Sequence, residues 1–239
     1  FKYLNISFDM ITPDTVGILY SYLVDLLFTN HENISVFDPN VGCGNLLFSL
    51  INNSKIEFNK IYGVDINYHF LDVSIHLANL LEYSVEFFNQ NNLDKLLVPP
   101  VDLVISDLPT GNEENSSSEF NYKPYIMMDN FMKYGKEGAY YIYLIPNNFF
   151  TQPQNEMIKE IILSNTFIQA IIELPQSMFT DKKYQKSIII LQKKGKNIKV
   201  NKEILMLTFP NFNDKEKVTK AIDKINHWHK QNKLFGGLS

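Results

Sequence analysis

The sequence predicts an α/β fold in which helices cover both faces of an open, mostly parallel sheet. Two observations support this prediction. Short runs rich in β-branched and aromatic residues alternate with longer segments of helical period. The longest apolar runs, "YYIYLIP" and "SIIIL", have the length of core strands and are too short to cross a bilayer. With 239 residues, 45% of them hydrophobic, the chain is long enough to bury the core of one large domain.

The elements follow in order along the chain. The first helix is predicted from Thr12 to about Phe28, because "TPDTVG" supplies a cap residue, a proline at the first helical position and an acid in the first turn. Strands are predicted at 34–38, 61–65, 84–88, 101–106, 139–145, 167–173 and 187–192. Further helices are predicted at 45–51, 67–81, 125–134, 155–163 and in the charged tail 214–234. The last two of these seven strands are joined by too short a link for a helical crossover, so we expect antiparallel neighbours at one edge.

Charge is unevenly distributed along the chain. The net charge is −4, but residues 1–120 hold 4 Lys and 16 acidic residues, whereas residues 121–239 hold 18 Lys and 10 acidic residues. A polyanion, if one binds, would therefore meet the second half, although the lysines could also simply cover solvated faces. Arginine is absent, so the chain lacks the usual residue for reading guanine in a major groove.

The cysteine and histidine content limits the possible chemistry. The single cysteine, Cys43, excludes an internal disulfide framework and fits a reducing compartment, so the cytoplasm is the expected location. No Cys/His cluster indicates a metal site, and His227 and His229 lie two residues apart, which places them on different helix faces. No membrane segment is expected. We interpret Cys43 as a small packing residue.

A glycine loop directly follows the first predicted strand, in "FDPNVGCGNLL". Ligands of open α/β sheets bind beyond the carboxyl ends of the strands, and Gly42 and Gly44 allow close approach of the backbone. A dinucleotide fingerprint would have a third glycine where Leu47 stands. The carboxylate of Asp38 would also repel a pyrophosphate. This carboxylate suits a ligand that carries an ammonium and a sulfonium group, such as S-adenosylmethionine (SAM).

A second acid supports a nucleoside ligand. Asp65 ends the second predicted strand in "YGVDIN", where a carboxylate can accept hydrogen bonds from both hydroxyls of a ribose. A tight turn alone would explain the glycines, but the loop, the preceding acid and the second acid together favour a nucleoside-type cofactor.

These motifs resemble those of class I SAM-dependent methyltransferases. From Thr12 to about Lys194 the chain resembles the adenine-N6 DNA methyltransferases, especially the methylation subunits of type I restriction-modification systems and their short stand-alone relatives. "TPDTVG" is similar to the family's Thr-Pro element, "DPNVGCGNLL" to its Asp-Pro-x-x-Gly-x-Gly loop and "VDIN" to its ribose-binding acid. In "NQNNLDKL", an asparagine stands where the family usually has an Asp facing the adenine. The resemblance implies that SAM is bound by Thr12, Pro13, Asp38, Pro39, Asn40, Gly42, Gly44, Asp65, Ile66 and Asn91.

The same resemblance implies an architecture and a partner. "GAYYIYLIPNNFF" and "IIELPQSMFTDKKYQKSIIILQKK" are similar to the strand ending in proline and to the Leu-Pro-x-x-x-Phe hairpin of type I subunits. The implied fold is Rossmann-like, with a seven-stranded sheet and an antiparallel edge hairpin. We expect residues 1–32 to form a helical segment that contributes to the cofactor site, residues 33–210 the methyltransferase domain and residues 211–239 a C-terminal helix. The implied partner is DNA, reached directly or through a specificity subunit.

The stretch "DLPT" stands where the family has Asn/Asp-Pro-Pro-Tyr/Phe. In that motif a side-chain oxygen and a backbone carbonyl accept the two protons of an exocyclic amine and aim its lone pair at the methyl group. The aromatic residue stacks on a flipped base. Here Asp107 and the carbonyl of Leu108 are retained with Pro109, but Thr110 has no ring.

Three explanations of Thr110 remain open. Another ring could serve, and the predicted topology brings five to this face: Phe120, Tyr122, Tyr125, Phe179 and Tyr184. The acceptor could instead be an amine or amide of RNA, protein or a small molecule. The chain could also bind SAM without transferring the methyl group, since "GNEENSSSE" places negative charge where a phosphate backbone would approach. A purely structural alternative is that Asp107 only caps a turn.

Overall fold

A computed structural model describes residues 12–28, 33–113, 118–199, 201 and 203–236. The chain forms two compact units that meet in sequence between Asp107 and Leu108. The predicted loop "GNEENSSSE" lies partly outside the described residues, as do most of the residues that precede the first helix.

The part of the first unit that the structure describes forms four parallel strands and three helices. Its elements are α1 (Asp14–Leu27), β1 (Ile34–Asp38), α2 (Asn45–Asn53), β2 (Phe58–Asp65), α3 (Tyr68–Leu80), β3 (Glu86–Asn89) and β4 (Val101–Asp107). The strands are ordered β3-β2-β1-β4, so β1 pairs in parallel with both β2 and β4. All five residues of β1 are buried, as expected for a strand inside a parallel sheet.

Helices α1 and α2 pack closely because α1 carries a glycine at the crossing. A Cβ atom at Gly17 would lie 2.3 Å from the Cβ of Ser49, which leaves no room for a side chain. The hydroxyl of Ser49 also donates to the carbonyl of Asp14. This contact holds α1 on the first unit.

The described residues of the second unit form four strands and three helices. Its elements are α4 (Lys123–Phe131), β5 (Gly135–Pro146), α5 (Asn155–Asn165), β6 (Thr166–Glu173), β7 (Lys186–Lys193), β8 (Leu205–Thr208) and α6 (Lys215–Gly236), with several short 3-10 turns. Strand β7 lies antiparallel between β5 and β6, and β8 pairs in parallel with β6. The predicted antiparallel pairing of the last two strands is therefore confirmed.

The number of strands differs from the prediction. The described residues contain eight strands, because β8 was not predicted and lies outside β6, where the hairpin was expected to form the edge. This strand has only four residues, and its apolar Met206 is 76% exposed, so the apolar residues of β8 do not mark a buried face. The α/β class and the mostly parallel pairing are as predicted, whereas the domain limits at residues 32 and 210 stay predictions.

Tail helix α6 packs against the chain as its pattern indicates. Trp228 is buried, and its indole N–H donates to the carbonyl of Glu203 at 2.9 Å. Among the residues that the structure describes, no helix has both the length and the apolar content needed to cross a membrane.

Candidate active site

Each of the four parallel strands of the first unit ends in a polar residue with a carboxylate or an amide. In sheet order these residues are Asn89, Asp65, Asp38 and Asp107. Parallel strands present their carboxyl ends at one edge, which is where open α/β sheets bind ligands. The acids that the sequence places at strand ends therefore belong to one edge of the first unit.

The loop after β1 depends on two glycines with positive φ. Gly42 has φ of 55° and Gly44 has φ of 84°, conformations that favour glycine. The reasons for glycine differ. A Cβ at Gly44 would meet the ring of Phe48 at 2.4 Å, whereas a Cβ at Gly42 would meet nothing within 4 Å. Packing therefore requires Gly44, and open space lies beside Gly42.

The carboxylate of Asp65 is oriented by two backbone N–H groups. Oδ2 accepts from Gly42 at 2.8 Å and Oδ1 accepts from Asn67 at 2.8 Å. Burial raises the pKa of Asp65, while these two hydrogen bonds oppose the rise. Each carboxylate oxygen can accept more than one hydrogen bond. The arrangement therefore links the glycine loop to Asp65 and leaves capacity for further donors.

The carboxyl group of Asp38 lies below the surface. Asp38 is 1% exposed, and its Oδ1 accepts from the Asn40 N–H at 3.0 Å. Burial raises the pKa of Asp38 to about 8; the Asn40 hydrogen bond opposes this rise, and the neighbouring carboxylates of Asp65 and Asp107 add to it. Neither Asp38 nor Asp65 forms an ion pair within the described ranges. A cation placed close to Asp38 would favour its ionised form.

Asparagine side chains fix the backbone around these acids. The amide of Asn40 donates to the carbonyl of Asp107 at 3.1 Å. The amide of buried Asn92 donates to the carbonyl of Pro39 at 2.9 Å and to Oδ1 of Asn40 at 3.3 Å. These bonds connect the loop after β1 to the end of β4.

Thr12 contacts Asp107 directly. The Thr12 hydroxyl donates to Oδ2 of Asp107 at 2.8 Å, and Thr12 is 7% exposed. Thr12 was expected to cap the first helix, but α1 begins at Asp14 with Pro13 at the cap position and no side-chain cap bond. That expectation was wrong because the hydroxyl of Thr12 bonds to the Asp107 carboxylate.

The motif that begins at Asp107 continues into the second unit. The Leu108 N–H donates to the carbonyl of Leu144 at 2.9 Å, and the Leu108 carbonyl accepts from Nζ of Lys186 at 3.0 Å. Pro109 is half-buried and Thr110 is exposed. The Leu108 carbonyl, which is expected to accept a hydrogen bond from an amine, thus already accepts one from the ammonium group of Lys186.

Three of the five rings expected to replace the missing aromatic residue are buried. Phe120, Tyr122 and Tyr125 are at most 6% exposed, and they pack edge to face around Tyr125 with Phe149. The Tyr125 hydroxyl also donates to the carbonyl of Phe149. These rings form core, so that expectation was wrong for them. Phe179 and Tyr184 are half-buried and remain candidates.

The remaining predicted residues lie in the first unit. Ile66 is 65% exposed directly after Asp65, an unusual exposure for an aliphatic side chain beside a carboxylate. Asn91 is half-buried, and its Oδ1 accepts from the Leu93 N–H at 3.1 Å. A contact between Asn91 and a ligand stays a prediction.

Sequence reasoning missed several residues that build this site. Asn89 donates to the carbonyls of Asp65 and Ile66, and Ser74 donates to the carbonyl of Gly42 at 2.7 Å. Ser74 falls on the buried stripe of α3 with Leu71 and Ala78, so a polar residue at an apolar position was the available signal.

Other reactive groups do not form a site here. Burial raises the pKa of the Cys43 thiol, and the Asp65 carboxylate adds to this effect, so the thiol is kept protonated. Within the residues that the structure describes, no cluster of three or more His, Cys, Asp or Glu side chains could hold a metal ion.

Comparisons with known proteins identify the family of this chain. The family model of the N-6 DNA methylases matches residues 9–236. The protein YtxK of Bacillus subtilis, described as uncharacterized, is 32% identical over 232 residues, which are 93% of this chain and 70% of YtxK.

Solved structures show the same fold. A candidate class I SAM-dependent methyltransferase from Listeria monocytogenes has a TM-score of 0.86 at 27% identity, covering 95% of this chain and 75% of that one. The methyltransferase subunit of a type I restriction-modification system from Streptococcus thermophilus has a TM-score of 0.75 at 16% identity, covering 92% of this chain and 53% of that one. The chain therefore belongs to the N-6 DNA methylase family, and it is a SAM-dependent methyltransferase that resembles the adenine-N6 enzymes.

Proposed function

We propose that the first unit binds SAM at the carboxyl ends of β1 and β2. The observation that carries this proposal is the pair of buried acids, Asp38 and Asp65, around a glycine loop with open space beside Gly42. A cationic nucleoside satisfies each feature: the ammonium group balances Asp38, the ribose hydroxyls donate to Asp65, and the backbone approaches at Gly42.

The other predicted residues fit the same ligand. The exposed side chain of Ile66 offers an apolar surface for the adenine ring, next to Asp65. Asn91 follows Asn89, whose side chain donates to the Ile66 carbonyl. Thr12, Pro13, Pro39, Asn40 and Gly44 belong to the two segments around Asp38 and Asp107. SAM supplies an electrophilic methyl group on a sulfonium, and the chain's own residues orient the ligand.

We propose an exocyclic amine as the methyl acceptor. Asp107 and the Leu108 carbonyl accept hydrogen bonds from the two N–H groups of the amine, and these bonds concentrate its lone pair on nitrogen. Thr12 and Asn40 support this role, because they hold the side chain and the backbone carbonyl of Asp107. Asp107 then lies next to the nitrogen and can accept the proton that this nitrogen releases after methyl transfer.

DNA is the proposed source of this amine. The family model is that of the N-6 DNA methylases, and the neighbour from Streptococcus thermophilus is a subunit of a type I restriction-modification system. A specificity subunit would then deliver the adenine. An amine or amide of RNA, protein or a small molecule is the alternative acceptor.

A second candidate function is SAM binding without methyl transfer. It is favoured by the bond between Lys186 and the Leu108 carbonyl and by the absence of a ring at Thr110. An ammonium group on that carbonyl weakens it as an acceptor and opposes the positive charge that develops on an attacking amine.

One sequence of experiments separates these candidates. Calorimetry with SAM tests binding first, and transfer of labelled methyl groups is then measured on adenine-containing DNA, RNA and lysate protein. Label on DNA that is lost in Asp107→Ala supports the adenine enzyme. Binding without any transfer supports the second candidate, and failure to bind SAM at millimolar concentration excludes both.

A further inference from the structure

The hydroxyl group of Tyr20 is buried without a hydrogen-bond partner. Tyr20 is 0% exposed, and its Oη lacks a partner within the part of the chain that the structure describes. Buried tyrosine hydroxyls nearly always have a partner, because a phenol removed from water without one is costly. The partner of Tyr20 therefore has to come from outside these residues.

Helix geometry directs this hydroxyl toward the site. Tyr20 lies on the buried stripe of α1, one turn after Val16 and close to the start of the helix at Asp14. Long side chains in helices lean toward the helix N-terminus, so Tyr20 covers the turn that precedes it. That end of α1 is joined to Asp107 by the Thr12 hydrogen bond.

Two carboxylates act on the phenol electrostatically. Burial raises the pKa of Tyr20 well above its usual value, and the carboxylates of Asp107 and Asp38 raise it further. The hydroxyl thus stays neutral and keeps both a proton and oxygen lone pairs. A neutral phenol oxygen near the two acids can turn its proton away from them and accept a hydrogen bond from a cation that the acids attract.

We propose that the Tyr20 hydroxyl is part of the SAM site and accepts a hydrogen bond from the α-ammonium group of the ligand. This inference rests on the proposed function. A carboxylate of the ligand is disfavoured as the partner, because it would add negative charge beside two acidic side chains. An ammonium group is attracted by both acids and supplies the donor that Tyr20 lacks.

The substitution Tyr20→Phe tests the proposal because it removes only the hydroxyl. Removal of a buried hydroxyl that has no hydrogen-bond partner should stabilise the ligand-free protein and raise the urea concentration at its unfolding midpoint. The affinity for SAM should instead fall about tenfold to a hundredfold. These opposite effects distinguish a ligand-binding hydroxyl from a structural one. Unchanged SAM affinity would overturn the proposal.

A second buried tyrosine provides the control. The Tyr141 hydroxyl donates to the Met132 carbonyl at 2.7 Å, so Tyr141→Phe should lower the urea midpoint and leave SAM affinity unchanged. If Tyr141→Phe weakens SAM binding as much as Tyr20→Phe does, the effect is a general response to core changes and the proposal fails.

Ligand analogues identify the group that Tyr20 contacts. Decarboxylated SAM keeps the ammonium group, whereas 5′-methylthioadenosine lacks the whole amino-acid part. Tyr20→Phe should weaken decarboxylated SAM by the same factor as SAM and leave methylthioadenosine unaffected. A loss for SAM alone would assign Tyr20 to the carboxylate and overturn the proposal. If wild-type protein binds none of these compounds, the proposed function itself fails.

Discussion

The hydroxyl of Thr12 donates a 2.8 Å hydrogen bond to Oδ2 of Asp107, 95 residues further along the chain. Thr12 belongs to the element that resembles a cofactor contact, and Asp107 to the motif that resembles an acceptor site. One hydrogen bond therefore joins the start of α1 to the residue proposed to hold the amine.

Removal of this bond should destabilise the protein. Thr12→Val keeps the shape of the side chain but takes a donor from a partly buried carboxylate, and hydrogen bonds to charged groups contribute about 1.5–3 kcal/mol. We expect a loss of that size in the free energy of unfolding measured in urea. Thr12→Ser keeps the hydroxyl and should stay close to wild type. A Thr12→Val protein as stable as wild type would show that the bond contributes little.

Gly42 should matter for SAM affinity as well as for stability. Gly42→Ala places a methyl group in open space at a positive φ, which costs about 1–2 kcal/mol of stability. The same methyl group would obstruct the proposed ligand, so we expect calorimetry to show about a tenfold loss of SAM affinity, equivalent to roughly 1.4 kcal/mol.

Gly111 offers a matched control for this change. It has φ of 106°, a Cβ there would also meet nothing within 4 Å, and it lies outside the glycine loop. Gly111→Ala should therefore cost stability and leave SAM affinity intact. Equal losses of affinity in the two variants would argue against a ligand beside Gly42.

Binding of SAM should strengthen as the pH rises toward 8. The raised pKa of Asp38, about 8, means that the free protein holds this carboxyl protonated at lower pH. A ligand ammonium needs the ionised form, so affinity should fall up to tenfold for each pH unit below 8, about 100-fold at pH 6. Above about pH 8 the amino group of the ligand loses its own proton and affinity falls again.

The substitution Asp38→Asn removes the carboxyl group whose ionisation makes SAM affinity rise with pH. The variant should bind SAM weakly, with an affinity that no longer increases between pH 6 and 8.

The raised pKa of Asp38 also predicts that ligand-free wild type loses stability as the pH rises from about 5 to 8, because the folded state there binds more protons than the unfolded state. Stability that increases over this range would contradict a raised pKa at Asp38.

Thr110→Tyr should improve capture of adenine if the motif is a weakened adenine pocket. Stacking on an aromatic ring contributes roughly 1–3 kcal/mol per base, and Thr110 is exposed, so a ring there can reach a ligand. The measurement is the affinity for a single-stranded adenine-containing oligonucleotide in the presence of SAM. No gain in affinity would count against an adenine pocket at this motif.

Lys186→Met should increase methyl transfer to a neutral amine. The substitution removes the ammonium group from the Leu108 carbonyl and keeps an apolar stem of similar length. We expect a higher rate with labelled SAM and the acceptor identified for wild type, whereas Lys186→Arg should stay close to wild type. A lower rate in Lys186→Met would show that Lys186 assists the acceptor.

The sequence predicted the parts of the site that depend on local order. Asp38 and Asp65 end strands whose apolar runs are easy to recognise, and parallel strands bring such ends to one edge. Gly42 and Gly44 stand where the backbone needs positive φ, a local requirement that residue type reveals. Strand β8 was missed because it has only four residues and because its apolar residues are not buried, as the exposed Met206 shows.

Only the tertiary structure decided which hydrogen-bond partners the side chains of the site have. Thr12 bonds to Asp107, Lys186 bonds to the Leu108 carbonyl, and Tyr20 is buried without a partner among the described residues, and the local sequence predicts none of these three arrangements. Local pattern determines where strands and turns form, because backbone geometry repeats over a few residues. Hydrogen bonds between distant segments depend on how helices and strands pack, and this packing is absent from any short window of sequence.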